Sequence, residues 1–214
     1  MPLPRYTIRM DFVFQILILI MSIVIHETSH GYAARYLGDR TAEYQGRLTL
    51  NPLKHLDPIG SFFIPLLSYT LGGFLIGWAK PVPYNPYNLR PGRWSEAIVA
   101  GAGPLSNILI ALVFGLLFRS ATQGGGTLSS QGFMEITGII VFINLILAVF
   151  NLMPVPPLDG SKLLFAFFPE KFLELRRFFE RHGVILLIVF VFFIWQLIFP
   201  IVGLLFRLIA GANL

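Results

Sequence analysis

The stretch DFVFQILILIMSIVIHETSHGYAARYL, residues 11–37, decides the fold. Its first half is an almost unbroken apolar run, and about 20 such residues cross a bilayer core of roughly 30 Å. Arg5 and Arg9 precede the run, as they would in a signal peptide, but no small-residue cleavage site follows. The segment therefore reads as a retained first helix that ends at Gly38-Asp39, with glycine as the breaker.

The second half of the same helix carries His26-Glu27-Thr28-Ser29-His30. Residues i and i+4 share one helix face, one turn apart, so the two imidazoles can hold one tetrahedral zinc. Glu27 lies about 100° around the helix from His26, within reach of a water on that metal. Zinc lowers the pKa of such a water toward about 7, and a carboxylate can then take its proton as it attacks a peptide carbonyl. Ionisable groups at the centre of a membrane helix cost about 2.5–3.5 kcal/mol each. Three of them in one turn require a compensating partner, and a divalent cation supplies it.

Composition agrees with a membrane protein. Of 214 residues, 55% are hydrophobic and only 13% charged, against about 25% charged in an ordinary soluble domain. The excess apolar surface must face lipid. The net charge of +5 is carried by Lys and Arg scattered between apolar segments, a pattern that sets membrane orientation rather than one that binds nucleic acid. There is no cysteine, which excludes disulfides and thiolate-bound metals.

Further spans are expected over 95–118, 133–152 and 184–209. Residues 57–79 are apolar but hold Pro58, Gly60, Pro65, Gly72, Gly73 and Gly77, too many breakers for a continuous helix. In 95–118, Pro104 implies a kink or a late helix start. Residues 121–131 are Gly/Ser-rich and read as a flexible connection. Residues 161–181 are basic and amphipathic, and read as an interfacial helix on anionic lipid. No internal repeat and no soluble domain are evident, so residues 1–214 read as one integral membrane domain.

A catalytic zinc takes three protein ligands and keeps one position open. His55 and His182 sit in charged, loop-like sequence and read as solvated surface histidines. Asp159 stands out at the end of Pro154-Val-Pro-Pro-Leu-Asp159-Gly160, just past an apolar helix. From local sequence it is equally a metal ligand or the N-cap of the helix starting near Ser161.

Taken together, HETSH in one membrane helix, Gly103-Pro-Leu-Ser-Asn107 in a later one and Asn151-Leu-Met-Pro-Val-Pro-Pro-Leu-Asp159-Gly160 after a third resemble the site-2 protease family of intramembrane zinc metalloproteases, in that family's order. The resemblance runs from the first helix to residue 160 and is closest to the minimal subgroup without PDZ or CBS domains. It implies an all-α polytopic membrane protein with a three-helix catalytic core, Asp159 as the third ligand beside His26 and His30, and Glu27 as the catalytic base. It further implies cleavage of the transmembrane segments of other membrane proteins, within the bilayer of the cell. Asn151 matches the family's asparagine and is a candidate for binding the oxyanion or, equally, for a helix–helix hydrogen bond in lipid. Asn107 is expected to pack and hydrogen-bond. The alternatives are a membrane metal-binding protein or transporter, which ought to show repeated halves, and an inactive protease-like scaffold, which has no use for Glu27.

Sharing one metal constrains topology. His26 and His30 lie in the C-terminal half of the first helix, and Asp159 lies just beyond the C-terminus of the 133–152 helix, so those helices must run parallel with an odd number of crossings between them. The 95–118 helix supplies one. Residues 57–94 must then contribute no crossing or two, and 57–79 are expected to enter and return as a re-entrant segment, placing Lys54 and Lys80 on one side. Leu71 to Val82 is left as a short extended edge that an unwound substrate can join by strand addition. This arrangement gathers most basic residues on the metal's side, taken as cytoplasmic, and leaves Arg5, Arg9 and Arg119 on the other, with Arg207 unassigned.

Overall fold

In the computed structural model the described residues are 5–72, 77–124, 130–168, 173–193 and 195–212. Most of them are helical, with no strand among them. Helix α1 spans Arg5–Tyr36, α2 is a single turn at Thr41–Tyr44, and a π-helical turn at Ile59–Phe63 leads into α3, Ile64–Gly72. Helices α4 (Ser95–Gly124), α5 (Gln131–Asn151), α6 (Asp159–Phe167), α7 (Leu173–Arg181), α8 (Gly183–Phe193) and α9 (Trp195–Ala210) follow. Three helices among the described residues are long and apolar enough to cross a membrane: Phe12–Tyr36, Ser95–Gln123 and Gln131–Asn151.

Helix α1 is inside-out by the standard of a soluble protein. Its polar Ser22, His26 and His30 are buried, whereas Val13, Phe14, Leu17 and Met21 are exposed. Leu105, Leu109, Val113 and Leu116 form a similar exposed band on α4. Such patches are much larger than a soluble monomer tolerates, but they suit a hydrocarbon solvent. The helix ends as its sequence requires. Gly38 takes φ 109°, its N–H reaches the Arg35 carbonyl, and the Asp39 N–H reaches that of Ala34, which is a Schellman ending.

Helix directions follow from side-chain pairings. Val99 of α4 meets His30, while Asn107 meets His26 and Ser22, so α4 descends as α1 rises. Asn144 of α5 meets Ser22, and the chain beyond α5 brings Asp159 to His26 and His30, so α5 runs parallel to α1. On the far side of α5 lies the apolar core, where Ala111, Val141, Leu145 and Val149 pack against Phe190, Ile198, Val202 and Phe206 of α8 and α9.

The segment after α2 leaves and returns to one point. The Lys80 N–H donates to the His55 carbonyl (2.8 Å) and the Trp78 N–H to that of Gly60 (3.0 Å), while the Ser61 hydroxyl donates to the Trp78 carbonyl (2.9 Å). The two ends of the stretch read as re-entrant are thus tied together. Of the extended edge expected over Leu71–Val82, Leu71 and Gly72 instead belong to α3, whose ladder they complete, and residues 73–76 lie outside the described residues. Residues 77–82 form no helix; their N–H bonds fall on 78, 80 and 82, the period of an extended chain, while the Pro81 carbonyl also accepts from Arg47.

Three boundaries differ from expectation. Helix α4 starts at Ser95 and carries Pro104 inside it, so there is no late start. It also continues through 121–124, while 125–129 of the expected flexible connection lie outside the described residues. The basic stretch 161–181 holds two helices rather than one: α6 stops where Phe168, which precedes Pro169, turns extended (φ −81°, ψ 137°), because the residue before a proline avoids helical geometry. Residues 169–172 of that stretch lie outside the described residues. The apolar 184–209 segment contains α8 and α9, with Pro200 inside α9 and residue 194 outside the described residues.

Candidate metal centre

One helical turn separates His26 from His30, and their Nε2 atoms lie 3.1 Å apart. Asp159 stands at the first residue of α6, where the sequence allowed a cap. Its side chain makes no capping bond; instead Oδ2 sits 3.2 Å from His26 Nε2 and 3.2 Å from His30 Nε2. Two features bring it there. The turn through Pro154–Leu158 reverses the chain after α5, and Gly160 lets α6 begin hard against the end of α5. A Cβ at Gly160 would lie 2.5 Å from the Met153 carbonyl oxygen and closer still to that of Leu152.

The other ring nitrogen of each histidine is committed. His26 Nδ1–H donates to Asn107 Oδ1 (2.5 Å), and His30 Nδ1–H donates to the Val99 carbonyl (2.7 Å). Pro104 has no N–H to return to the Ala100 carbonyl, so the α4 ladder is interrupted beside Val99. With both protons placed on Nδ1, both Nε2 atoms present lone pairs. Neutral imidazoles so oriented turn two lone pairs and a carboxylate oxygen toward one buried space, a donor set that a cation would satisfy. Ligands about 2.0–2.1 Å from a tetrahedral zinc lie ~3.3 Å apart, close to the separations found here, so the three residues fit a zinc ion.

A buried asparagine chain supports the centre from below. The Asn107 amide donates to Asn144 Oδ1 (2.8 Å) and more weakly to the Ser22 carbonyl (3.4 Å). The Asn144 amide donates to the Ser22 hydroxyl (2.9 Å) and the Ile140 carbonyl (2.8 Å). Both asparagines are fully buried. Each such bond in a membrane interior contributes on average about 0.6 kcal/mol, so the network's larger effect is to fix ring orientation. Sequence reading missed Asn144 and Ser22. The available signal was an asparagine amid the apolar run 138–150, which must face protein.

Gly103 faces the centre from α4. A Cβ there would lie 2.6 Å from His26 Nε2 and would also run into His30 Nε2, so the glycine of the GPLSN motif is there for closeness. Glu27 accepts a hydrogen bond on Oε2 from the Val82 N–H (2.9 Å). The segment that presents Val82 is held by buried Arg47, whose Nη2 donates to the carbonyls of Lys80 (2.8 Å) and Pro81 (3.2 Å).

The other candidates make their hydrogen bonds elsewhere. The Asn151 amide donates to the Leu147 carbonyl one turn back on its own helix (2.9 Å). His182 bonds to the Phe178 carbonyl and stacks on that ring. His55 is no solvated histidine: it is fully buried, with Nε2–H donating to the Thr49 carbonyl (2.8 Å). Its charged neighbours in sequence hid the fact that the loop folds beneath residues 78–80.

Apolar helices of spanning length, built around a buried cluster of two histidines and one carboxylate with a glutamate one residue along, define a membrane zinc metalloprotease. The comparisons agree. The chain belongs to peptidase family M50, whose model matches residues 14–124 and 119–195. It is 41% identical over 154 residues to YwhC of Bacillus subtilis, covering 71% of this chain and 67% of that protein. It is 33% identical over 147 residues to Rip2 of Mycolicibacterium smegmatis, covering 66% of this chain but about half, 52%, of the relative. With MJ0611 of Methanocaldococcus jannaschii it shares 31% identity over 162 residues, 71% of this chain and 72% of the other. All three carry assigned names as zinc metalloproteases. No solved structure matches the chain.

Proposed function

We propose that this protein hydrolyses peptide bonds within transmembrane segments of other membrane proteins, as a multi-pass enzyme of the cell membrane. The observation that carries the reading is the convergence of His26 Nε2, His30 Nε2 and Asp159 Oδ2 within 3.2 Å of one another, with Glu27 next in chain on the same helix. These three residues would hold zinc. When bound, zinc supplies Lewis acidity toward a carbonyl oxygen and toward water.

The chain's own groups do the rest. Glu27 takes the proton of the attacking water and later delivers it to the leaving amine. Its Oε2 is held by the Val82 N–H, which leaves Oε1 for the proton. Asn107 and the Val99 carbonyl keep both imidazoles in the tautomer that ligates. Trp78, Lys80 and Val82 spend their N–H groups on protein partners, and the opposite edge of the segment is where an unwound substrate would join by strand addition. The second amide hydrogen of Asn151 is a candidate oxyanion donor. Residues 57–79 enter the bilayer and return on the cytoplasmic side, as the distribution of basic residues favours.

The test is cleavage of a transmembrane model peptide in liposomes by wild type and Glu27→Gln, with zinc measured on both. Cleavage by wild type alone, with about one zinc on each protein, supports the reading. Zinc on both and cleavage by neither across a panel of peptides would move the function to metal handling or scaffolding.

A further inference from the structure

Away from the metal centre, the loop leading into α4 faces α6 and α7 across a cavity of about 560 Å³. None of the candidate zinc ligands lines it. Four cations do: Arg90 and Arg93 from the loop, Lys162 from α6 and Arg176 from α7, with Glu96 as the one carboxylate. Glu96 is engaged with Arg176 at 2.9 Å. Lys162 lies with Nζ 5.0 Å from the centre of the Tyr84 ring. Arg93 is anchored through Nε to the Ala166 carbonyl, which leaves its two terminal nitrogens. Among the described residues no carboxylate pairs with Arg90 or Arg93. A concave site with this excess of positive charge suits a phosphate, which arginine binds in a forked, bidentate manner.

The position of the cavity identifies the source of that phosphate. Just past it along α4 begins the apolar, outward-facing run at Ile98. Beside its mouth, Trp94 and Phe167 stack edge to face at 4.9 Å, and both rings are largely exposed. Exposed aromatic rings at the end of an apolar span mark the level of lipid headgroups, and α7, LELRRFFER, is strongly amphipathic. We infer that this cavity is a binding site for the phosphate of an anionic phospholipid, with Arg90 and Arg93 gripping the headgroup and the Trp94–Phe167 pair lying along the acyl chains. The site goes beyond general attraction of a basic helix to the membrane, because it requires specific loop arginines. It also does not depend on the proteolytic reading. It bears on the same helix that carries Asp159, since Lys162 follows one turn later.

The experiment titrates phosphatidylglycerol into the full-length protein in neutral detergent and counts bound lipid by native mass spectrometry. Arg90→Gln/Arg93→Gln is compared with Arg40→Gln/Lys54→Gln, which removes equal charge from exposed positions elsewhere. Each cation near anionic lipid contributes enough for a several-fold change in affinity, so the cavity double variant should bind about 10- to 30-fold more weakly, and the control within twofold of wild type. Equal weakening by both variants would overturn the inference. So would protection from thermal unfolding by inorganic phosphate equal to that by phosphatidylglycerol, which would mark a site for free anion. A measurement on folded wild type guards against a misfolded variant: brominated phosphatidylglycerol should quench a fluorescence component that Trp94→Phe removes, and brominated phosphatidylcholine should quench it several-fold less. Equal quenching by the two lipids also refutes the site.

Discussion

Gly103→Ala is the smallest change that should empty the metal centre. The added Cβ would stand 2.6 Å from His26 Nε2 and from His30 Cε1, where ordinary contact begins at 3.4 Å. The rings would have to retreat by about 0.8 Å, whereas metal–ligand distances tolerate ~0.2 Å. Neither ring is free to do so, because Asn107 and Val99 hold the two Nδ1 atoms. The expected loss is at least 100-fold in zinc affinity, about 2.7 kcal/mol. Gly101→Ala is the matched control: it sits one half-turn earlier on α4, and its Cβ would meet Leu163 at 3.6 Å, an ordinary contact. The assay is zinc content after equilibration against a graded chelator, with circular dichroism to show that all proteins remain helical. If Gly103→Ala kept zinc within threefold of wild type, the placement of both histidines against α4 would be wrong.

Other outcomes follow from the same geometry. Asn107→Ala frees the His26 tautomer and should weaken zinc binding 10- to 100-fold, while Ser106→Ala, which loses only a bond to the Gly103 carbonyl, should stay within about twofold; equal effects would deny Asn107 its role. At the end of α1, burial works to raise the Asp39 pKa, but bonds from Thr41, Asn88 and the Asn85 N–H outweigh it and hold the carboxyl below its usual 3.8. A depressed folded pKa gives stability that is present above about pH 3.8 and lost as pH falls through the folded value. Thermal unfolding in detergent should therefore drop on acidification below pH 4 in wild type more steeply than in Asp39→Asn, and parallel curves would refute this. Single cysteines replacing Lys54 and Lys80 should label from the same side of a sealed vesicle, since His55 and Lys80 are bonded to each other; opposite sides would rule out a returning segment.

Much of the centre was legible because its chemistry is written locally. The i, i+4 histidines must share a helix face whatever surrounds them, and three ionisable groups in an apolar helix must find a partner. Asp159 was ambiguous because a carboxylate before Gly-Ser suits an N-cap and a metal equally well. The turn at Pro154–Leu158, and a Gly160 that lets two backbones touch, set the carboxylate beside the two histidines. Asn144 and Ser22 are separated from Asn107 by whole helices, so their meeting depends on register between elements. The reading of His55 failed for the opposite reason: local charge describes the neighbours of a residue in sequence, and His55 is buried by residues some 25 positions away.

The bond from Val82 to Glu27 has a consequence for where a substrate is cut. The group proposed to activate water is fastened to the very segment proposed to pair with the substrate, so chemistry and alignment share one origin. Under that pairing the scissile bond is chosen by counting along the substrate from the residue opposite Val82, much as a ruler is read from its zero mark. Side-chain preference becomes secondary to the place where the substrate helix first comes undone.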